Sequence, residues 1–282
     1  MYSISPVKLL KISNNQTIQE LDDLVAVEEP LEIRLGYGAL NNRQQQRVSV
    51  TMRTPVHDFD LALGFLFSEG IIQSYEQILS IKYCVDAGKQ VTENIIRVEL
   101  KPEVEINTKL FQRNFYMTSS CGVCGKASIE AIEAMTCMVN NNIQTTEKLQ
   151  VMSSIIYQLS RQMTAIQSAF THTGGLHAAA LFDGLGKIIL IREEVGRHNA
   201  LDKVIGNALT HNLSLHDKIV LMSSRASFEL IQKVIMANIP IIATIGAPSS
   251  LAIETAQRFG VTLLGFVKAD RFNVYSGAER LK

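Results

Sequence analysis

Two cysteines stand three residues apart, Cys121 and Cys124, in the run Thr118-Ser119-Ser120-Cys121-Gly122-Val123-Cys124-Gly125. In the stretch that follows, residues 126–135, Ile129, Ile132 and Met135 fall at helical spacing, which predicts a helix. A thiol just ahead of a helix N-terminus feels the positive end of the dipole, and Lys126 adds a formal charge beside it. Both favour the thiolate, the form that attacks sulfur and binds metal. Gly122 and Gly125 remove side-chain bulk and free the backbone, which suits a thiol that must meet large partners. The chemistry of the chain is expected here.

The spacing alone leaves four readings open: part of a zinc site, a redox dithiol, a nucleophilic or sulfur-carrying thiol, or thiols with no special role. Zinc needs two more ligands, and there is no second C-x-x-C; Cys137 falls in an expected helix, so His172 and His177 would have to serve. A thioredoxin-like dithiol would need a βαβ context that the surroundings lack. Zinc deaminases carry H-x-E followed by P-C-x-x-C. Here Ala179 stands where the Glu would follow His177, and the C-x-x-C comes first and lacks the proline, so deaminase chemistry is set aside.

The second half of the chain has the clearer rhythm of elements. Strands are expected at 187–192, 219–223, 239–245 and 261–267, with helices at 198–209, 227–238 and 249–259 between them. Alternation of this kind implies a mainly parallel sheet covered by helices. In the first half, Val48, Val50 and Met52 alternate on one face of an expected strand, as do Ile96, Val98 and Leu100. Between them Asp58 to Glu69 reads as a helix closed by Gly70. Residues 140–142, all Asn, are the most linker-like stretch, and helix is expected again over 149–168. The fold class is therefore α/β (α+β overall): a smaller N-terminal α/β unit over 1–110 and a larger unit over 111–282 that carries the C-x-x-C.

Parallel sheets bind ligands at the carboxyl ends of their strands. Those ends read Glu193-Glu194-Val195-Gly196-Arg197-His198, Ser224-Arg225-Ala226-Ser227, Gly246-Ala247-Pro248-Ser249 and Lys268-Ala269-Asp270-Arg271. Three of them open a helix, where free N–H groups hold anions. Arg197, Arg225 and Arg271 add bidentate donors, His198 sits beside Arg197, Gly246 shapes a tight turn, and Ser249 is placed to cap a helix or meet a phosphate oxygen. A large phosphorylated ligand is expected along this edge. Glu193 and Glu194 are read as surface carboxylates or partners of Arg197. His172 and His177 fit a turn as well as a site. Phe259 is expected in the core, while Phe266 and Phe272 fit either packing or a planar base. Cys84 and Cys137 are read as small core fillers.

Composition narrows the field. The 282 residues are 46% hydrophobic and 19% charged, enough to bury a core. Lys plus Arg equals Asp plus Glu at 27 each, which argues against a broad nucleic-acid surface. No secretory signal is read at the N-terminus, and no apolar run approaches the roughly 18 residues of a membrane helix. Reduced thiols in the cytoplasm are the expectation.

Three stretches together, Ser120 to Gly125, Glu194-Val195-Gly196-Arg197-His198-Asn199-Ala200-Leu201-Asp202-Lys203, and Gly265 to Gly277 with Arg271-Phe272-Asn273-Val274-Tyr275, resemble the formate dehydrogenase accessory sulfurtransferases of the FdhD/NarQ type. The resemblance runs from about residue 25 to the C-terminus. It implies an enzyme that carries sulfur as a persulfide from a cysteine desulfurase to the molybdenum cofactor in its bis-guanine-dinucleotide form, for a formate dehydrogenase apoenzyme. It further implies Cys121 as the carrier, Cys124 as an aid to transfer or release, and Phe266, Val267, Lys268, Ala269, Asp270 and Arg271 as cofactor-binding. The larger unit would be cytidine-deaminase-like, the protein a homodimer, and no metal permanently bound. The alternatives are a non-covalent molybdenum-cofactor-binding chaperone and a zinc or dithiol protein.

Overall fold

A computed structural model describes residues 3–14, 18–84, 93–106, 132–133 and 149–282. Cys121, Cys124, Cys137, the linker-like 140–142 and the boundary expected near residue 110 lie outside the described residues. Of the helix expected over 126–135, Ile132 and Glu133 are described and helical. Ile132 is buried, and Glu133 accepts a 2.7 Å hydrogen bond from Arg258.

The N-terminal strands β1 (Ile4–Ile12) and β2 (Ile18–Ala26) form an antiparallel hairpin that is a two-stranded sheet of its own. Four further strands, β3 (Glu29–Tyr37), β4 (Gln44–Arg53), β5 (Ile78–Tyr83) and β6 (Ile95–Leu100), make a sheet of order β4-β3-β6-β5. Alternation of Leu31, Ile33 and Leu35 on β3 turns all three inward, and β6 does the same with Ile96, Val98 and Leu100. The expected face of β4 is corrected. A bulge opposite Ile33/Arg34 leaves Val48 without a partner and flips the alternation, so Val48 is buried while Val50 and Met52 face out. The flip turns Arg53 inward, fully buried, where it meets Asp58 at 2.9 Å and Glu29 at 2.9 Å.

Helix α1 (Asp58–Ser68) starts at that ion pair, and just past its end Gly70, at φ 69°, donates to the Phe67 carbonyl. The second half begins with α2 (Ser153–Ile166) and α3 (Ser168–Thr173), then β7 (His177–Phe182), β8 (Ile188–Glu194), α4 (Arg197–Thr210), β9 (Ile219–Met222), α5 (Phe228–Met236), β10 (Ile241–Thr244), α6 (Ser250–Arg258), β11 (Thr262–Gly265) and β12 (Asn273–Ser276). The strands form a six-stranded sheet of order β12-β11-β10-β9-β7-β8. Its orientation is mixed, which corrects the mainly parallel expectation. The strands β9, β10 and β11 pair in parallel and β8 runs their way, but β7 lies antiparallel between β8 and β9, and β12 is antiparallel at the far edge.

One face of this sheet (Ala179, Leu181, Val220, Met222, Ile242 and Leu263) shares a core with α4, α5, α6, α1 and the four-stranded sheet. Its other face, from Ala178 and Ala180 to Leu264, packs on Ile156, Leu159 and Met163 of α2. Helices α1 and α4 meet through bare backbone. A Cβ on Gly64 would stand 1.8 Å from the Asp202 carbonyl oxygen, and one on Gly206 1.9 Å from that of Asp60. Among the described residues no helix is long and apolar enough to cross a membrane.

Backbone cannot retreat from such a contact. Gly206→Ala is expected to lower the stability by more than about 3 kcal/mol in urea titration. Gly260→Ala, where only a left-handed φ is strained, is expected to cost about 1 kcal/mol.

Candidate functional site

The register of the six-stranded sheet brings the carboxyl ends of β8 to β11 and the start of β7 to one edge. His177 lies opposite Glu194, and Ala179 opposite Met222. Three helices open there: α4 behind Gly196, α5 behind Ser227 and α6 behind Ser249. Their first-turn N–H groups have no partner within the helix and point along the dipole towards the edge. Ser249 does cap its helix, accepting from the Ala252 N–H at 3.3 Å.

The loops are laced to one another. The Gly246 N–H donates to the Ser224 carbonyl at 3.1 Å, Ala226 to Ala247 at 3.2 Å, and Ser249 to Ala226 at 3.0 Å. Phe266 donates to Gly246 at 3.2 Å, and Val267 to Thr244 at 3.1 Å. Position 246 has to be glycine for this contact, because a Cβ there would stand 2.8 Å from Arg225 Cγ and 3.1 Å from its Cα. Phe266 adopts φ 54° and stays exposed. Phe272 instead packs, with its ring centroid 5.2 Å from that of Tyr157. Phe259 lies against the core.

Beside this edge lies a cleft of about 620 Å³. One wall is α2, through Ser160 and Met163, continued by Gln167 between α2 and α3; the sheet edge contributes His177, Ser223 and Val267, with Lys268 exposed beside them. Of the expected ligand residues, Val267 and Lys268 line the cleft; Arg197 and His198 open α4, and Arg225, Gly246, Ser249, Phe266, Ala269, Asp270 and Arg271 lie in the connections that follow β9, β10 and β11. The helix α2 was foreseen, but a periodicity does not tell which of its residues face a cavity.

Charge divides sharply between the edge and the interior. Arg197, Arg225, Lys268 and Arg271 form no ion pair with any described residue, so their charge is available to a ligand. Burial, with the Arg197 guanidinium second, pushes His177 below its ordinary pKa. The same two causes, in the same order, push His198 down to about 4. Its Nε2 lies 3.2 Å from the Ser227 hydroxyl. Both imidazoles are thus neutral at pH 7, leaving the cationic work to arginine and lysine. Burial opposes ionisation of Glu229, but the Ser227 hydroxyl and a backbone N–H hold its carboxyl below the usual range.

Just behind the edge, the polar residues of the long motif are structural. Glu194 is fully buried and pairs with Lys203, not with Arg197 as expected. Burial raises its pKa against the pull of Lys203. Glu194 also accepts from the Thr54 N–H, Lys203 donates to the Thr54 carbonyl at 2.8 Å, and the Val195 N–H meets the Thr54 hydroxyl at 3.2 Å. Asn199 donates to the Met52 carbonyl at 2.8 Å. Asp202 accepts from Lys233 at 2.9 Å and from Ser68 at 2.9 Å. Glu193 is not a free surface carboxylate either, since it accepts from the Ala169 and Phe170 N–H groups. Cys84 is a half-buried free thiol at the end of β5 rather than a core filler. His172 is exposed on α3, its Nδ1 2.6 Å from the Ser168 carbonyl.

The model of the family described as FdhD/NarQ matches residues 26–282. A protein from Mycolicibacterium paratuberculosis named sulfur carrier protein FdhD is 44% identical over 282 residues, covering 97% of this chain and 97% of its own. Proteins of the same name from Streptomyces coelicolor and Thermoplasma volcanium are 44% and 40% identical, covering 97% and 93% of this chain and 94% and 90% of their own. The fold is shared by the crystal structure of a protein assigned as a formate dehydrogenase accessory protein from Desulfotalea psychrophila. That match has a TM-score of 0.74 at 24% identity and covers 100% of each chain.

The depressed pKa of His198 has a measurable consequence. As pH falls from about 6.5 towards 4, the unfolded chain takes up a proton that the native His198 refuses, so this contribution to stability is present above 6.5 and lost on the way to 4. Urea midpoints of wild type and His198→Asn, measured across that window, are expected to converge or cross, the wild type losing up to about 3 kcal/mol more than the variant.

Proposed function

The chain belongs to the FdhD/NarQ family, and on that premise we propose that it is a sulfurtransferase serving formate dehydrogenase. It carries sulfur on Cys121 from a cysteine desulfurase to the molybdenum cofactor in its bis-guanine-dinucleotide form, which is its cargo. The observation that carries the reading is the sheet edge: three helix N-termini and four cations that form no ion pair among the described residues, beside a cleft of about 620 Å³. A ligand with several phosphates matches that edge. Phe266, Val267, Lys268, Ala269, Asp270 and Arg271, with Arg197, His198, Arg225, Gly246 and Ser249, hold the cargo in this reading. The family relationship and the cysteine motif supply the sulfur half. The protein acts in the cytoplasm, as a homodimer, and passes the cofactor to the formate dehydrogenase apoenzyme. A division into units 1–110 and 111–282, the second cytidine-deaminase-like, belongs to the same proposal; it is supported by the two larger sheets, each built from strands on one side of residue 110.

In the loading step the Cys121 thiolate attacks the outer sulfur of the donor's persulfide. A new S–S bond forms on Cys121, and the donor leaves as its own thiolate, with no net change in oxidation state. Cys124 then attacks the inner sulfur of Cys121, forming a Cys121–Cys124 disulfide and expelling hydrosulfide; a thiol reductant restores the pair.

Intact-protein mass after incubation with a cysteine desulfurase and cysteine reports the first step. One added sulfur, removable by reductant and missing in Cys121→Ala, is the expected result; no added sulfur with guanine nucleotide still bound would favour a non-covalent chaperone. Arg271→Ala is expected to weaken guanosine diphosphate binding about tenfold or more without lowering the urea midpoint. Ser249→Ala should weaken binding and also cost about 1 kcal/mol as a lost cap. Unchanged affinity in both variants would move the phosphate site elsewhere.

A further inference from the structure

The three helices that open on the sheet edge differ in their first turns. Behind Gly196 and Ser249, α4 and α6 carry no acid there, whereas α5 carries Glu229. Because α5 packs against both α4 and α6, the acidic opening is the middle one. Arg225 precedes α5 but leans towards the next loop, its Cγ against Gly246.

Glu229 is kept ionised and oriented without being neutralised. Burial opposes its charge, but the Ser227 hydroxyl and its own backbone N–H outweigh that. His198 Nε2 lies 3.2 Å from Ser227 Oγ and 3.9 Å from Glu229 Oε2. A hydroxyl has one proton to give. With that proton on Glu229, Ser227 accepts from the His198 Nε2–H, so the neutral imidazole steadies the pair and adds no counter-charge. A carboxylate has roughly four acceptor positions, and two donors leave about half of them open. The Glu229 side chain is 49% exposed. Arg197 is near enough for its charge to act on Glu229, His198 and His177, and His177 lines the cleft. The carboxylate therefore stands at the candidate site.

An acid in a first turn favours its own helix. At an edge that holds phosphates it also repels the ligand, unless the ligand places a donor against it. On a nucleotide, the uncharged O–H donors closest to the phosphates are the ribose hydroxyls. The apolar surface suited to the planar base lies in the cleft instead, at Met163, Ile245 and Val267. We propose that Glu229 reads the ribose: its carboxylate accepts from the sugar hydroxyls of a guanine nucleotide, between phosphates held at the openings of α4 and α6. This inference rests on the guanine-dinucleotide reading of the cargo and adds a residue that tells a ribonucleotide from a deoxyribonucleotide.

Titration calorimetry of the full chain with guanosine diphosphate and its 2′-deoxy and 3′-deoxy forms tests the assignment. Wild type is expected to bind at least one deoxy form about tenfold or more weakly than guanosine diphosphate. In Glu229→Leu the affinity for guanosine diphosphate should drop to that of the deoxy form, while the deoxy affinity holds or rises because the repelling charge is gone. Glu229→Gln, which keeps one acceptor oxygen, should fall between. Equal loss of every nucleotide in Glu229→Leu would mark a purely structural carboxylate and overturn the proposal. So would discrimination that survives in that variant, or a wild type that binds all three forms alike; either result leaves the guanine-nucleotide reading standing. A change confined to the ratio of guanosine to inosine diphosphate would move Glu229 to the base and overturn its ribose role. A wild type that binds none of these nucleotides would overturn both readings.

Discussion

Two helices touch here without side chains between them, and the rest of the molecule is arranged around that approach. At Gly64 and Gly206 the backbones of α1 and α4 come so close that a methyl group on either would collide with a carbonyl oxygen. Polar groups on the flanks then have nowhere to go but to each other. Asp60 takes Arg192 at 2.9 Å and Asn207 at 3.1 Å, while Asp202 takes Lys233 and Ser68. Because Arg197 and His198 are the first residues of α4, the same contact helps to set where they stand at the sheet edge.

The consequence is a division of labour among charges. Behind the edge every carboxylate of the motif is paired: Glu194 with Lys203, Asp202 with Lys233. Removing one member would leave its partner buried and uncompensated, a larger loss than the pair itself contributes. In front of the edge Arg197, Arg225, Lys268 and Arg271 have no such partners among the described residues, and burial disfavours the charged form of His177 and His198. Fixed backbone N–H groups and arginines are the appropriate donors for phosphate, since neither changes charge with pH in the physiological range.

Much of this was legible in the residues and some was not. The βα units from Lys187 onward follow from periodicity, and the carboxyl ends of their strands do gather at one edge. The strand β7 escaped because His177-Ala178-Ala179-Ala180-Leu181-Phe182 lacks β-branched residues and is rich in alanine, a helix former. Its small side chains are explained by its place, covered on one face by α2 and on the other by α4. Glu194 and Lys203 were visible as a motif, but their partner Thr54 lies 149 residues from Lys203, and a single sequence carries no signal for such a pair. The bulge in β4 likewise answers to the burial of Arg53 and not to any local pattern. At the cysteines the residues alone leave several chemistries open, and Cys121 and Cys124 lie outside the described residues.

The glycine contact also dictates when this protein can be finished on the ribosome. The strands β3 to β6 and α1 are made first, but α1 cannot bury its Gly64 face until Gly206 has emerged. At 5–20 residues per second that interval is on the order of ten seconds. During that time a nascent chain displays the apolar face of α1, while Arg53 and Asp58 already have their partners Glu29, Tyr83 and Asn94. The product is a protein whose first half matures only with its second, so a translational pause before α4 would prolong the exposure of a sticky intermediate.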